Sequence, residues 1–330
     1  MDGQAVEFRC WLTSPFHTSR QKYANLTKCA PFIMGSTFRG AMLQYLIEAH
    51  CPQKRLAALK GMDDPTEVTA YHVQCDLDCP VRPFFTEAER IWYSFAALPE
   101  TAFGGATRIA LSRRTGSVAE GAIFNVETVN PGTPFTFEVF LFGEAVELMD
   151  TVREAVEAVG QWKGLGGYRS VGFGRFAVEG KPQVRDFFEA RIAQEWAEWP
   201  SPSDGAVDIE FRTPLVLGEG FSTGGVSPEE VAHWLAREVH RTALAVGDEE
   251  SSPPPIERVD FRIRPDFVGR FSYERGLREN RLVAWKESRM TLHLADGVQI
   301  DSEQLAIAAI LGIGEWNRWG FGRFALVGLG

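Results

Sequence analysis

Residues 164–177 read Gly-Leu-Gly-Gly-Tyr-Arg-Ser-Val-Gly-Phe-Gly-Arg-Phe-Ala, and residues 312–325 read Gly-Ile-Gly-Glu-Trp-Asn-Arg-Trp-Gly-Phe-Gly-Arg-Phe-Ala. Eight of the fourteen positions are identical at a constant displacement of 148 residues: Gly164, Gly166 and Gly172 through Ala177 repeat as Gly312, Gly314 and Gly320 through Ala325. In a chain holding 32 glycines, glycine-rich loops recur by chance, but not in a shared register. A fixed displacement is the mark of an internal duplication, so the chain reads as two related units.

Working outward from each copy, the flanking segments agree. Before the first copy, Phe135–Phe142 is a strand of aromatic and β-branched residues, and Met149, Val152, Ala155, Val156 and Val159 give a helix over about 148–160. Before the second copy, a strand near 290–294 is followed by a helix over 302–311. Arg175–Val178 and Arg323–Val327 close the two units as strands. The openings echo one another as well, with Glu7-Phe8-Arg9 resembling Glu210-Phe211-Arg212. A helix is expected from Thr37 to Leu46, with Ser36 or Thr37 as its N-cap, and another over about 228–243 with Pro228 in its first turn. Strand, helix, strands, helix and strand is the plan of a ferredoxin-like or RRM-like sandwich, so the expected class is α+β with two such units, each ending in a glycine-rich loop. The units are placed at 1–180 and 207–330, joined by an acidic, proline-rich connection at 181–206. Insertions are placed at about 50–90 and 101–134.

Composition bounds the function. The chain has 330 residues, 45% hydrophobic and 24% charged, as in a folded soluble protein. No apolar run is long enough to cross a bilayer, which points to no membrane partner. The first residues carry no basic patch followed by an apolar stretch, and a cytoplasmic protein is expected. Five cysteines are an odd number in a chain able to build a core, so a disulfide framework is not expected. A net charge of -10 argues against nonspecific nucleic-acid binding but leaves room for a local basic groove.

The loops themselves allow two roles. Glycines permit a tight turn at a sheet edge, and their amides can form a concavity for a phosphate. Tyr168 with Arg169, and Trp316 with Arg318, set aromatic rings beside positive charge, as single-stranded RNA binding requires. Equally, the loops can be architectural turns whose aromatics enter the core. They are not dinucleotide fingerprints, because here the glycines follow a helix.

The repeated loop resembles the C-terminal glycine loop of the RAMP superfamily of CRISPR-associated proteins. Pro31-Phe-Ile-Met-Gly35-Ser36-Thr37-Phe38-Arg39-Gly40-Ala41 is similar to that family's segment opening the first helix, near its RNA-binding surface. Ser112-Arg113-Arg114-Thr115-Gly116 through Glu127, with Pro131-Gly132-Thr133 beyond it, is similar to the thumb and following strand of Cas7-type backbone subunits, the Cmr type among them. Phe211-Arg-Thr-Pro214-Leu-Val-Leu217 and the terminal loop also resemble Cas6-type endoribonucleases. The favoured implication is a non-catalytic subunit of a CRISPR effector complex, holding crRNA through its backbone. Its partners are then crRNA, other effector subunits including copies of itself, and target nucleic acid. The alternative is a Cas6-like, metal-independent endoribonuclease that processes repeat RNA. Candidate RNA-binding residues are Gly35, Ser36, Arg39, Arg113, Arg114, Gly166, Tyr168, Arg169, Gly172, Gly174, Arg175 and Arg318, the arginines because their planar donors suit phosphate.

Under the Cas6-like alternative, His17 is the general base or acid, with Tyr23 and Lys22 beside it. The Cas7-like RNases of type III systems use an aspartate in this loop, and here 17–30 offers Asn25 but no Asp. No cofactor is required. A structural zinc is suggested by His72, Cys75 and Cys79, completed by Cys51 or His50, although two buried free thiols fit the same residues.

Overall fold

The structure is a computed structural model, and it describes residues 2–23, 26–51, 79–111, 118–199, 206–217, 227–247, 252–272, 277–295 and 301–327. In the first unit β1 (Gly3–Leu12), α1 (Gly35–His50), β2 (Ile91–Tyr93), β3 (Pro134–Phe142), α2 (Met149–Ala158) and β4 (Phe176–Val178) follow the order β-α-β-β-α-β. They form an antiparallel sheet of order β4–β1–β3–β2. In the second, β5 (Ala206–Phe211), α3 (Pro228–Ala245), β6 (Ile256–Arg262), β7 (Arg289–Leu294), α4 (Ser302–Leu311) and β8 (Phe324–Val327) repeat that order. Their sheet runs β6–β7–β5–β8, the same arrangement of equivalent strands. The chain is therefore α+β, with the split β-α-β connection used twice.

Local chemistry explains where α3 and α4 begin. Ser227 caps α3 through a capping box with Glu230, and Pro228 occupies the first turn. Asp301 caps α4 by accepting from the amides of Glu303 and Gln304. Helix α1 departs from expectation: it begins at Gly35, with Met34 as an N-cap that offers no side-chain bond, so neither Ser36 nor Thr37 caps it. The reason is tertiary. A Cβ on Gly35 would lie 2.6 Å from the Tyr93 carbonyl oxygen and 2.8 Å from that of Trp319, so the chain enters the helix pressed against the second unit. Helix α2 runs on through a π turn, Val159–Lys163, and ends at Gly164.

How the units meet is written along β3. Phe135, Phe137, Val139 and Leu141 face the first core, with Phe38 stacked 3.9 Å from Phe137. Thr136 on the other face is exposed, but Phe140 and Phe142 are buried there. The alternation stops because α4 of the second unit covers that end of the sheet. Ala306, Ile307, Ile310 and Leu311 join Ala5, Trp92, Phe140 and Phe142 in one apolar cluster. Helix α4 is accordingly apolar all round, buried by its own sheet on one side and by the first unit's sheet on the other. A second inter-unit cluster brings Phe32, Met34 and Phe95 to Val216, Val283, Trp285 and Phe321.

Between these clusters lies a buried ion network. Glu138 of β3 accepts from Arg191 at 2.8 Å and from Arg323, beside the second glycine loop, at 3.2 Å. Arg191 also pairs with Glu195 at 3.0 Å, and Glu195 with Arg212 at 2.8 Å. Burial pushes the Glu138 carboxyl up, but the Arg323 and Arg191 guanidiniums outweigh it and hold the group below the usual carboxylate range. Segment 181–199, read as a connection, supplies Arg191 and Glu195, and its strand Gln183–Asp186 pairs with β1.

Candidate nucleic-acid interface

The two glycine loops are one structure built twice. Left-handed residues fall at matching positions, including two that are not glycine, Tyr168 (φ 59°) and Trp316 (φ 65°). The hydrogen bonds match too. Leu165 donates its amide to Gly174 at 2.9 Å, and Ile313 to Gly322 at 3.2 Å; the amides of Gly174 and Gly322 donate to Pro15 and Pro214 at 2.8 and 2.9 Å. Arg175 and Arg323 each donate an amide to the hydroxyl of Ser14 or Thr213, at 2.9 Å in both. A Cβ on Gly174 or Gly322 would overlap the carbonyl oxygen of Leu165 or Ile313. These glycines close the loop backbone on itself and on the turn after the first strand, so Gly174 has an architectural role.

The outer faces of the loops differ. Gly320 sits against the first unit, where a Cβ would lie 2.5 Å from the Phe95 amide nitrogen. Trp316 packs against Phe321 and Phe321 against Phe95, while Arg318 pairs with Glu89 of the first unit at 3.2 Å. The equivalent glycine of the first loop, Gly172, has nothing within 4 Å of a Cβ, and Val171 beside it is 57% exposed. One copy is consumed by the contact between units and the other faces outward.

Helix α1 links the two loops. Gly35 lies under Trp319 of the second loop, and Ser36, Gly40, Gln44 and Glu48 continue as a row at i, i+4 spacing. Gln44 accepts from Arg169 of the first loop at 3.0 Å, and Glu48 pairs with Lys163 of the π turn. Gly40 is exposed with nothing near it. Arg39 in the first half of α1 and Arg175 at the end of the first loop have no ion-pair partner among the described residues. Of the candidate residues, Ser36 begins the α1 row that reaches Arg169 of the first loop, whereas Gly35 is buried against Tyr93 and Trp319, Gly166 is pressed on the His17 carbonyl oxygen, and Arg318 is paired with Glu89.

Tyr168 is less available than expected. Its ring lies 5.5 Å from that of His17, and the Arg108 guanidinium sits 5.1 Å from it and 4.5 Å from the Phe173 ring. Arg108, on the hairpin strand Phe103–Leu111, escaped the sequence reading because nothing local ties residue 108 to residue 168. His17 is 3% exposed. Its Nδ1 lies 2.8 Å from the Glu127 carbonyl oxygen, which requires Nδ1–H to donate and leaves the lone pair on Nε2. Burial lowers its pKa, so the ring is a neutral, enclosed group at neutral pH. The side chains of Lys22, Tyr23, Arg113 and Arg114 lie outside the described residues.

Cys51 and Cys79 are buried at the two ends of segment 52–78, and each is a free thiol. Thiols are donors that zinc accepts, but His72 and Cys75 lie outside the described residues. Among the described residues no cluster of three or more His, Cys, Asp or Glu is placed to hold a metal. None of their helices is long and apolar enough to cross a membrane.

Residues 95–177 match the RAMP superfamily. The match covers 83 of the 330 residues. It begins at Phe95, on which the second loop docks, and runs through the hairpin, β3 and α2 to the end of the first glycine loop. No curated protein matches the chain. Among solved structures, the chain is similar to one from the type III-B Cmr-beta bound to cognate target RNA. The identity is 13% and the TM-score 0.36, over 56% of this chain and 61% of that one. The chain thus spans about three fifths of that relative's length.

Proposed function

We propose that this chain is a RAMP subunit of a CRISPR ribonucleoprotein, holding crRNA by its sugar–phosphate backbone along the exposed side of α1 and the first glycine loop. The observation that carries the reading is the asymmetry of the duplicated loop. The copy inside the RAMP segment is left open, and Arg39 of α1 and Arg175 at the loop's end have no carboxylate partners among the described residues, while the other copy is spent on the inter-unit contact. A protein of net charge -10 needs such a local site, because its overall field repels RNA. Backbone holding also suits the residues present: arginines pair with phosphate, and the partly buried Tyr168 already packs against His17 and Arg108.

The test is RNA retention and its salt dependence. The purified chain, with its copurifying subunits, retains guide-length RNA, and Arg39→Ala and Arg175→Ala each weaken binding alike for unrelated sequences. Each lowers the slope of log K against log salt by about 1. Unchanged slopes in both variants, or no RNA retained by the wild type, overturn the reading. Cleavage of repeat RNA in EDTA that is lost in His17→Ala replaces it with endoribonuclease chemistry.

A further inference from the structure

Trp11 stands on the face of the first sheet that points away from α1 and α2. Along β1, Val6, Phe8, Cys10 and Leu12 enter the first core, so Ala5, Glu7, Arg9 and Trp11 share the opposite face. Cover on that face falls off along the strand. Ala5 is buried under the second unit. Glu7 lies opposite Glu138 in register and is bound by Arg9 at 2.9 Å and Arg185 at 3.3 Å. Beyond it the sheet is open: Trp11 is 39% exposed, and its cross-strand neighbours are the exposed Pro134 and the half-buried Ala177.

Two arginines flank Trp11 in the register of the sheet. Arg175, two residues before Ala177, is exposed and has no ion-pair partner among the described residues. Arg9 lies two residues before Trp11 on the same strand face. Next to it is a surface cleft of about 190 Å³ lined by Glu7, Arg9, Glu179, Gly180, Lys181 and Gln183. The cleft's own carboxylates are Glu7, already held by Arg9 and Arg185, and Glu179; its own cations are Arg9 and Lys181, and Arg175 stands outside it. An exposed indole with cations on both sides complements a single-stranded nucleic acid, whose bases stack while its phosphates pair.

We propose that Trp11 is a stacking platform for an unpaired base of single-stranded RNA, with the flanking phosphates on Arg175 and in the Arg9–Lys181 cleft. This rests on the RNA-binding reading above and extends it around the edge strand β4. Arg175 is where the two surfaces join, since it leaves the first glycine loop on one side and enters the Trp11 face on the other. Base stacking tolerates any sequence, so the platform adds affinity for unpaired RNA without choosing a guide.

The experiment uses the full chain and oligouridine carrying 4-thiouridine. Irradiation is expected to crosslink the base to the β1 peptide at Trp11. Trp11→Leu is expected to bind the single strand roughly tenfold more weakly, with Trp11→Phe within about twofold of wild type. Duplex RNA is expected to bind both variants equally well. Thermal melts of Trp11→Leu and Trp11→Phe show that the fold is kept. If Trp11→Leu binds oligouridine like wild type and no crosslink falls on the β1 peptide, the platform is wrong while backbone holding stands. If wild type binds no RNA, both fall. Protection of Trp11 by another protein subunit, with RNA absent, also overturns the assignment.

Discussion

Gly172 and Gly174 are two residues apart in one loop, share positive φ, and carry different burdens. At Gly174 a side chain collides with the Leu165 backbone, whereas at Gly172 it meets open space. Gly172→Ala therefore costs only the left-handed backbone, about 1 kcal/mol. Gly174→Ala adds a clash that backbone cannot relieve cheaply, and a loss of several times that is expected, on the order of 3 kcal/mol or more. In the second loop the contrast disappears, because Gly320 and Gly322 both abut backbone. Denaturant melts of the four alanine variants check this, and a mild Gly320→Ala would contradict the docking of that loop. The same residue scale shows what sequence could not supply at the candidate site. Tyr168 reads equally as a stacking ring or a core aromatic, and what flanks it, His17 and Arg108, comes from far along the chain.

Among the elements, α4 shows how composition and position explain each other. A helix reading Ser-Glu-Gln-Leu-Ala-Ile-Ala-Ala-Ile-Leu has no polar stripe, so sequence alone tells that it is buried on more than one side. It does not tell what covers the second side. The cover is Phe140, Phe142, Trp92 and Ala5, the face of the first sheet that an RRM-type protein would leave open. Ile310→Ala, deep in this contact, is expected to destabilise the protein by about 2–5 kcal/mol. Loss of one cooperative transition, with the units melting separately, is the expected form of that damage. Calorimetry resolves it; a single transition at an unchanged temperature would show that α4 does not couple the units.

At the scale of the whole molecule, the two units are joined by two apolar clusters with Glu138, Arg191 and Arg323 between them. A buried network of this kind is costly to break, because a removed partner leaves another charge uncompensated. Glu138→Gln is expected to cost about 3–5 kcal/mol. Its pH signature follows from the direction of the shift. The folded carboxyl is held below its ordinary value of 4.5, so its contribution is complete above that pH and is lost as pH falls through the lower, folded value. Wild type should lose this part of its stability on acidification, and Glu138→Gln should not. Parallel pH–stability curves for the two would refute the role of the network. The same joint decides which surfaces stay open: it takes the second loop, leaving the first loop, α1 and the Trp11 end of the sheet.

The sequence by itself determined that the chain is duplicated, that it is α+β, where most helices and strands lie, and that each unit closes through the same glycine loop. Those conclusions rest on periodicity and on glycine, which report local backbone geometry wherever the segment sits. Tertiary structure alone decided which loop is open, which sheet face is covered, and that α1 begins at Gly35. Each depends on groups brought together from distant positions, such as Arg323 on Glu138 or Trp319 on Gly35. Two copies of one loop sequence carry no mark of which will be buried; that follows from which surface each unit has left to cover.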